Sequence, residues 1–259
     1  MKKIVQGLKF ISFLSLMVIY IVHSFILSMI YRDIWIFRSK IIYVMSWYSS
    51  LALRLAGVRV KKYGMTNDMK FLVSNHLSYL DILILCSQFP STFVTSVEIR
   101  EIPVLGLITK LGGCLYVERR NKSNLSNEIK ELTTALQKNI PVAIFPEATS
   151  TNAESVLRFK KPLFQASLDS HVPVSPVCIN YLKIDGKLFD TGNRDFVCWY
   201  GDMDFLAHLW ELMGKRNVLV ELRLLNEIQA AEPILLAEES HRRIQQNFIG
   251  LNPTVTTAH

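Results

Sequence analysis

The stretch Phe71-Leu72-Val73-Ser74-Asn75-His76-Leu77-Ser78-Tyr79-Leu80-Asp81 decides how this chain folds. Its apolar start is typical of the end of a buried strand, and the apolar residues 82–85 that follow it favour a helix. Residues 75–81 are therefore expected to form a strand-to-helix turn at the edge of a sheet, which is where α/β proteins place their sites.

An imidazole and a carboxylate lie five residues apart in this turn. Asp81 can accept the imidazole N–H of His76, which fixes the tautomer and leaves the other ring nitrogen free as a base. A second interpretation is structural, because Ser78 followed three residues later by Asp81 is also the pattern of a helix capping box. The turn taken alone favours the capping interpretation. A choice between the two interpretations therefore depends on the other motifs of the chain.

The amino-terminal quarter of the chain has the composition of a membrane anchor. Residues 10–30 carry no charge, and as a helix they would be ~31 Å long, which matches the apolar core of a bilayer. The run continues into Tyr31-Arg32-Asp33 without a small-residue cleavage site, so a retained anchor is expected rather than a signal peptide. Residues 41–53 are too short to span comfortably and contain Trp47 and Tyr48, which favour the membrane interface.

The positive charge of the chain is concentrated in the same region. Residues 1–62 contain ten Lys or Arg against one acid, a net charge of +9, and residues 63–259 contain 19 against 21, a net charge of −2. This distribution favours an anionic membrane surface and argues against nucleic acid as a partner. Basic residues flank both ends of the apolar run, and a shallow helical hairpin in the inner or cytoplasmic membrane, with the folded part facing the cytoplasm, would accommodate both clusters.

The four cysteines indicate a reducing compartment. They show no C-x-x-C spacing and lie in apolar sequence, so buried free thiols are expected rather than a disulfide framework or a metal site. They are Cys86, Cys114, Cys178 and Cys198.

Beyond residue 62, strand-like and helix-like segments alternate, which predicts an α/β fold with a mainly parallel or mixed sheet flanked by helices. The predicted strands after the first are residues 114–117, 141–145, 172–181, 196–200 and 218–225. A helix is predicted over residues 103–111, and two more are expected to begin at Pro162 and Pro233. A further amphipathic helix, capped by Ser123 or Ser126, is predicted from the helical spacing of Leu125, Ile129, Leu132 and Leu136. We expect one domain over residues 63–250 between the anchoring segment, residues 1–62, and a disordered tail, residues 251–259.

Three further segments carry polar groups at the ends of predicted strands. Arg119 follows one strand, where its guanidinium could bind a phosphate or a carboxylate. Phe145-Pro146-Glu147-Ala148-Thr149-Ser150-Thr151 places a carboxylate and three hydroxyls in a turn after another strand. The strand at 172–177 contains Pro173 and Pro176, which a strand tolerates at an edge or a bulge.

In this order and at these separations, the four segments resemble the four motifs of the PlsC-type glycerolipid acyltransferases, over residues 60–200. His76 and Asp81 match the H-x4-D motif, Arg119 closes the second motif, and Glu147 is the glutamate of F-P-E-G-T. The two prolines lie in the fourth motif. The resemblance implies transfer of a fatty acyl group from acyl-CoA or acyl carrier protein to a lysolipid hydroxyl at the membrane. The leading acceptor is 1-acyl-sn-glycerol 3-phosphate, which would give phosphatidic acid.

The resemblance also implies roles for individual residues. His76 would be the catalytic base and Asp81 would stabilise the imidazolium, and no metal or cofactor beyond the acyl donor is needed. Ser78 is a rival nucleophile, but two residues from a histidine it is expected to point elsewhere and to cap the helix. The residues expected to bind the acceptor are Asn75, Arg119, Glu147 and Thr149.

Two departures from the third motif bear on the acceptor. Ala148 stands where the family usually has glycine, and Ser150 stands where many members have an arginine that could contact a phosphate. The same chemistry on a lysophospholipid or a lyso-aminolipid therefore stays an alternative, as does a non-catalytic lipid-binding protein. Arg158, Lys160 and Lys161 could supply charge near the motif or form a solvated cluster.

Overall fold

The computed structural model describes residues 2–64, 69–118 and 124–251. It begins with two long helices, α1 (Lys2–Ile30) and α2 (Ile34–Ala56), joined by a short turn. The carboxylate of Asp33 caps α2 by accepting the N–H groups of Trp35 and Ile36, and Gly57 ends it in the left-handed conformation. The helices are antiparallel, because the ammonium of Lys9 in α1 reaches the carbonyl of Ala56 at the end of α2. The two helices thus form a hairpin within the protein, and its insertion in a bilayer stays a prediction.

Helix α1 has the length and composition of a candidate membrane span. One face packs inward through Phe13, Tyr20 and Ser24, which are buried. The rest of the helix exposes large apolar side chains to its surroundings, among them Ile11, Val18, Val22, Phe25 and Ile26. An exposed apolar surface of this extent supports association of the chain with a membrane.

One cation of the basic segment is internal. The guanidinium of Arg38 is buried, donates to the carbonyls of Gly113 and Cys114, and pairs with Glu131 at 2.7 Å. Arg38 therefore attaches α2 to the folded domain and does not face a lipid surface.

The domain is built on one mixed sheet. The strands are β1 (Val58–Tyr63), β2 (Phe71–Ser74), β3 (Thr92–Ser96), β4 (Leu115–Val117), β5 (Val142–Ile144), β6 (Val174–Ile184), β7 (Lys187–Leu188) and β8 (Val218–Leu224). Their order is β1-β8-β6-β2-β5-β3-β4, with β7 beside β6. Strand β6 pairs antiparallel with β7 and β8, and the remaining pairs are parallel. The predicted mainly parallel or mixed sheet flanked by helices is confirmed.

Helices cover both faces of the sheet. They are α3 (Tyr79–Gln88), α4 (Val97–Glu101), α5 (Pro103–Leu111), α6 (Leu125–Gln137), α7 (Gln165–Ser170), α8 (Phe205–Met213) and α9 (Pro233–Asn247). Side chains alternate along β2, so that Leu72 packs in a cluster with α2, α3 and α8, and Phe71 and Val73 pack in a cluster with α6 and α9. Because both faces are covered, the short central strands are apolar throughout, which explains why residues 71–73 and 142–144 were recognisable in the sequence.

Several local predictions were wrong. Residues 196–200 are not a strand, because the 3-10 turn Arg194–Phe196 leads into irregular chain whose Trp199 N–H donates to Leu77. The N-cap position of α6 is Asn124, which puts Ser126 inside the first turn, and Ser123 lies outside the described residues. Strands β1 and β3 and helices α4 and α8 were not predicted. Strand β1 pairs with β8 and so carries the sheet into the segment predicted as the anchor.

Of the two prolines, Pro173 immediately precedes strand β6 and Pro176 lies within it. Strand β6 lies between β2 and β8, and Pro176 occupies an irregular step of the β6 ladder between the pairs Val174↔Ile228 and Val177↔Leu224. This step resembles a bulge, which is where a proline without an N–H can be tolerated. The predicted tail beyond residue 251 lies outside the described residues.

Candidate active site

The turn between β2 and α3 brings His76 and Asp81 together. The Nδ1 atom of His76 lies 3.0 Å from Oδ2 of Asp81, whose side chain is fully buried, and the imidazole itself is partly exposed. The capping box is present as well, because the N–H of Ser78 donates to Asp81 and the Ser78 hydroxyl accepts from Leu80. The two interpretations of the sequence are thus compatible, since one carboxylate oxygen serves both the helix and the imidazole.

Asp81 is surrounded by donors. Its Oδ2 accepts the N–H groups of Leu77 at 2.5 Å and Ser78 at 2.8 Å beside the His76 contact, and its Oδ1 accepts the hydroxyl of Tyr181 at 2.9 Å. Burial raises the pKa of Tyr181 well above its ordinary value, so that hydroxyl stays protonated and donates. Because Asp81 accepts a hydrogen bond at Oδ2 from the imidazole, the proton of His76 is placed on Nδ1, which leaves Nε2 as an acceptor.

Tyr181 was missed by sequence reasoning. It lies one hundred residues after Asp81, in the middle of a buried strand, where a tyrosine reads as a core residue. Only the pairing of β6 with β2 brings it to the turn.

Long-range hydrogen bonds hold the backbone of the turn. The N–H of His76 donates to Glu147 at 2.7 Å, and its carbonyl accepts the N–H of Thr151 at 3.0 Å. The side-chain amide of Asn75 makes two bonds with the backbone of Ile179, at 3.0 and 2.9 Å. These contacts fix the position of the imidazole relative to strand β6 and to the loop that follows β5.

Glu147 and Asn75 are therefore tied to the protein's own backbone. The second oxygen of Glu147 accepts the N–H of Leu157 at 2.7 Å, so both oxygens are engaged. Burial raises the pKa of Glu147 to about 7, while the N–H groups of Leu157 and His76 oppose the rise and the charge of Asp81 adds to it. That Asn75 and Glu147 contact the acceptor stays a prediction.

The third motif forms a tight turn beside the imidazole. Ala148 adopts a φ of +62°, the left-handed conformation for which the family's glycine is suited, so this alanine is strained. Ala148, Thr149 and Ser150 border a cavity next to His76. Arg119, which the sequence predicted as an acceptor contact, lies outside the described residues.

The imidazole faces an apolar cavity of about 430 Å³. His76 stacks on Phe145 with ring centres 4.1 Å apart, and within the described residues no hydrogen bond forms at its Nε2. The cavity extends to the inner faces of the two amino-terminal helices. Its walls include Phe13, Leu16, Met17 and Tyr20 of α1, Met45 and Tyr48 of α2, and Ile99, Leu105 and Ile108 of α4 and α5.

This arrangement can remove a proton from an alcohol held beside an apolar chain. Ser78 is unsuited to be a nucleophile, because its side chain is fully buried and caps α3. Cys114 also borders the cavity, but burial raises the pKa of its thiol to about 11, so it is not a thiolate at neutral pH. The four cysteines are buried and free, as predicted.

The structure is that of an α/β protein with an apolar amino-terminal hairpin and a paired histidine and aspartate beside an apolar cavity. The Acyltransferase family model matches residues 58–180. A lyso-ornithine lipid O-acyltransferase of Pseudomonas aeruginosa is 32% identical over 69% of this chain and 67% of its own length. A lyso-ornithine lipid O-acyltransferase of Brucella abortus is 28% identical over 76% of this chain and 75% of its own length. A 1-acyl-sn-glycerol-3-phosphate acyltransferase of Neisseria gonorrhoeae is 27% identical over 62% of this chain and 61% of its own length.

A solved structure shares the fold. The crystal structure of the 1-acyl-sn-glycerophosphate acyltransferase PlsC from Thermotoga maritima superposes with a TM-score of 0.63, covering 98% of this chain and 100% of the other at 18% identity. The chain belongs to the PlsC-type acyltransferases. It is accordingly an acyltransferase that acts on lysolipids.

Proposed function

We propose that this enzyme transfers a fatty acyl group from a thioester, acyl-CoA or acyl carrier protein, to the free hydroxyl of a lysolipid at the cytoplasmic face of a membrane. One observation carries the proposal: Nδ1 of His76 is bound to Asp81, and the imidazole borders a cavity that the membrane-associated helices help to form. The free cysteines and the soluble nature of both donors support the cytoplasmic orientation.

In the proposed mechanism, Nε2 of His76 takes the proton of the lysolipid hydroxyl as its oxygen attacks the thioester carbonyl. Asp81 stabilises the imidazolium that forms. The tetrahedral intermediate then collapses, its C–S bond breaks, and the imidazolium returns the proton to the departing thiolate. One C–O bond replaces one C–S bond, and the base is regenerated without an acyl-enzyme.

Two acceptors are candidates. The sequence motifs favour 1-acyl-sn-glycerol 3-phosphate, and the Neisseria relative is named for it. A lyso-aminolipid or lysophospholipid is favoured by Ser150, which borders the cavity where the family often has arginine, and within the described chain no Lys or Arg borders that cavity. Several relatives are named for lyso-ornithine lipid. We propose an acceptor of the second kind.

The binding roles divide into two groups. Arg119 and Thr149 are proposed to contact the acceptor, Arg119 by resemblance and Thr149 because it borders the cavity. The hydrogen bonds of Asn75 and Glu147 support a positioning role for these two residues instead.

The test uses membranes containing the full-length protein, a labelled acyl thioester and a panel of lysolipids, with His76→Ala as the variant. Loss of the base is expected to lower the transfer rate at least about 100-fold while membrane association is kept. The control is His171→Asn, which changes an exposed histidine whose φ of +58° asparagine tolerates. Near-normal turnover of His76→Ala would refute the mechanism.

A further inference from the structure

A second cleft adjoins the His76 cavity and is not used by the proposed mechanism. It has a volume of about 970 Å³, and Val94, Phe145 and Ala148 border both spaces. Its walls come from α6, from the segment after the third motif, and from α9. A lipid whose hydroxyl reaches His76 could therefore place its headgroup in this second cleft.

The cleft contains a buried carboxylate with an unused oxygen. Glu128 of α6 is only 7% exposed, and its Oε1 accepts the N–H of Glu118 at 2.8 Å. Its Oε2 is buried and has no hydrogen-bond partner within the described chain. Such an oxygen is costly to leave unpaired, and a ligand carrying N–H donors would satisfy it.

Cations border the same cleft. Lys160 and Lys161 form no ion pair among the residues described, and Arg158 approaches Glu238 only at 3.9 Å with a side chain that is 87% exposed. The cleft therefore offers one buried carboxylate for a positive group and several exposed cations for a negative group.

This combination of charges discriminates between occupants. A headgroup that is only anionic, such as a phosphate monoester, could bind the lysines but would leave the Glu128 oxygen unpaired and repelled. A zwitterionic headgroup can pair with both kinds of group at once, because its ammonium donates to Glu128 and its acid lies toward the lysines.

We infer that the second cleft binds the headgroup of the acceptor, and that the acceptor is a lysolipid with an ammonium group beside its carboxylate or phosphate. The inference rests on the proposed function and narrows its substrate class. Glu128 is the residue that selects for the amine.

The test is equilibrium binding by the full-length protein in detergent micelles without acyl donor. The two probes are lysophosphatidylethanolamine and lysophosphatidic acid of the same chain length, which differ by the ethanolamine group. The parent protein is expected to bind the amine-bearing lipid more tightly. Glu128→Gln keeps an oxygen for the Glu118 N–H but removes the charge, and it is expected to weaken binding of the amine-bearing lipid at least about tenfold and leave lysophosphatidic acid unchanged.

Glu101→Gln is the matched control, because Glu101 is an exposed carboxylate that borders neither cavity. Equal binding of the two lipids by the parent protein, or binding of neither, overturns the inference. So does an equal loss for both lipids in Glu128→Gln. Selective binding without acyl transfer would instead refute the proposed function and leave the headgroup cleft standing, so the two failures are distinguishable.

Discussion

At the scale of single residues, Asp81 combines two roles that usually belong to different side chains. The same carboxylate caps the start of helix α3 and orients the imidazole of His76, the proposed base. Its oxygens accept hydrogen bonds from the backbone of the turn and from Tyr181 on a distant strand. Changes at Asp81 should therefore affect both stability and turnover.

Asp81→Asn is expected to lower kcat at least about 100-fold, because an amide neither stabilises the imidazolium nor accepts all of these donors. The melting temperature should fall as well. Tyr181→Phe removes one donor only and should lower kcat less. The measurements are initial rates of acyl transfer and thermal unfolding in detergent, with the exposed Asp169→Asn as control. A larger effect in Tyr181→Phe than in Asp81→Asn would contradict this account.

Glu147 gives a prediction on pH. Its pKa rises from 4.5 to about 7 on folding, so the folded protein holds this proton more tightly than the unfolded chain. Between these two values, a rise in pH therefore favours unfolding, and the contribution of Glu147 to the unfolding free energy falls by about 3 kcal/mol. Above pH 7 the contribution of Glu147 to the unfolding free energy no longer changes with pH.

Thermal unfolding of the parent protein and Glu147→Gln from pH 4.5 to 8 tests this contribution. The stability of the parent relative to the variant should decline up to pH 7 and then level off. Parallel curves for the two proteins would show that Glu147 has an ordinary pKa.

At the scale of elements, the close approach of α4 and α5 shapes the cavity. Gly106 lies against the carbonyl of Arg100, and a Cβ there would come within 2.0 Å of that oxygen. Ile99 and Ile108, from these two helices, border the cavity beside His76. The geometry of this corner thus determines part of the space available to an acyl chain.

Gly106→Ala is expected to destabilise the protein by about 1–3 kcal/mol, because α5 must move away from α4. The transfer rate should change most for the longest acyl chains that the parent protein accepts. The measurement is the transfer rate with a series of acyl donors of increasing chain length. Gly7→Ala is the control, since the added methyl would meet no described atom within 4 Å apart from its chain neighbours and the backbone of its own helix. Equal melting temperatures of both variants would count against this interpretation of the corner.

At the scale of the whole molecule, the amino-terminal hairpin is part of the domain. Helix α2 packs against α3, and strand β1 pairs with β8 along its full length. Helix α1 contributes Phe13 and Tyr20 to the cavity wall while exposing apolar residues elsewhere. Membrane association and the shape of the active site therefore depend on the same helix.

Two deletions separate these contributions. Removal of residues 2–30 should weaken membrane association and lower transfer, because the cavity loses one wall, while α2 and β1 remain. Removal of residues 1–62 should give aggregated protein, because β8 loses its neighbour β1 and becomes an exposed sheet edge, and because the surface of α3 that α2 covers becomes exposed. Flotation with lipid vesicles, circular dichroism and transfer rates are the measurements. A soluble and fully active chain of residues 63–259 would contradict this assignment.

By itself, the sequence was enough to predict what depends on near neighbours: the apolar strand at 71–73, helix α5, the periodic face of α6, and the pairing of His76 with Asp81. These features follow from periodicity and from contacts within one or two helical turns. Three other features could be seen only in the folded chain: the hydrogen bond of Tyr181 to Asp81, the engagement of Glu147 by backbone N–H groups, and the contribution of α1 to the cavity. The physical reason is that these contacts join residues far apart in the chain, and strand pairing and helix packing determine which of them meet.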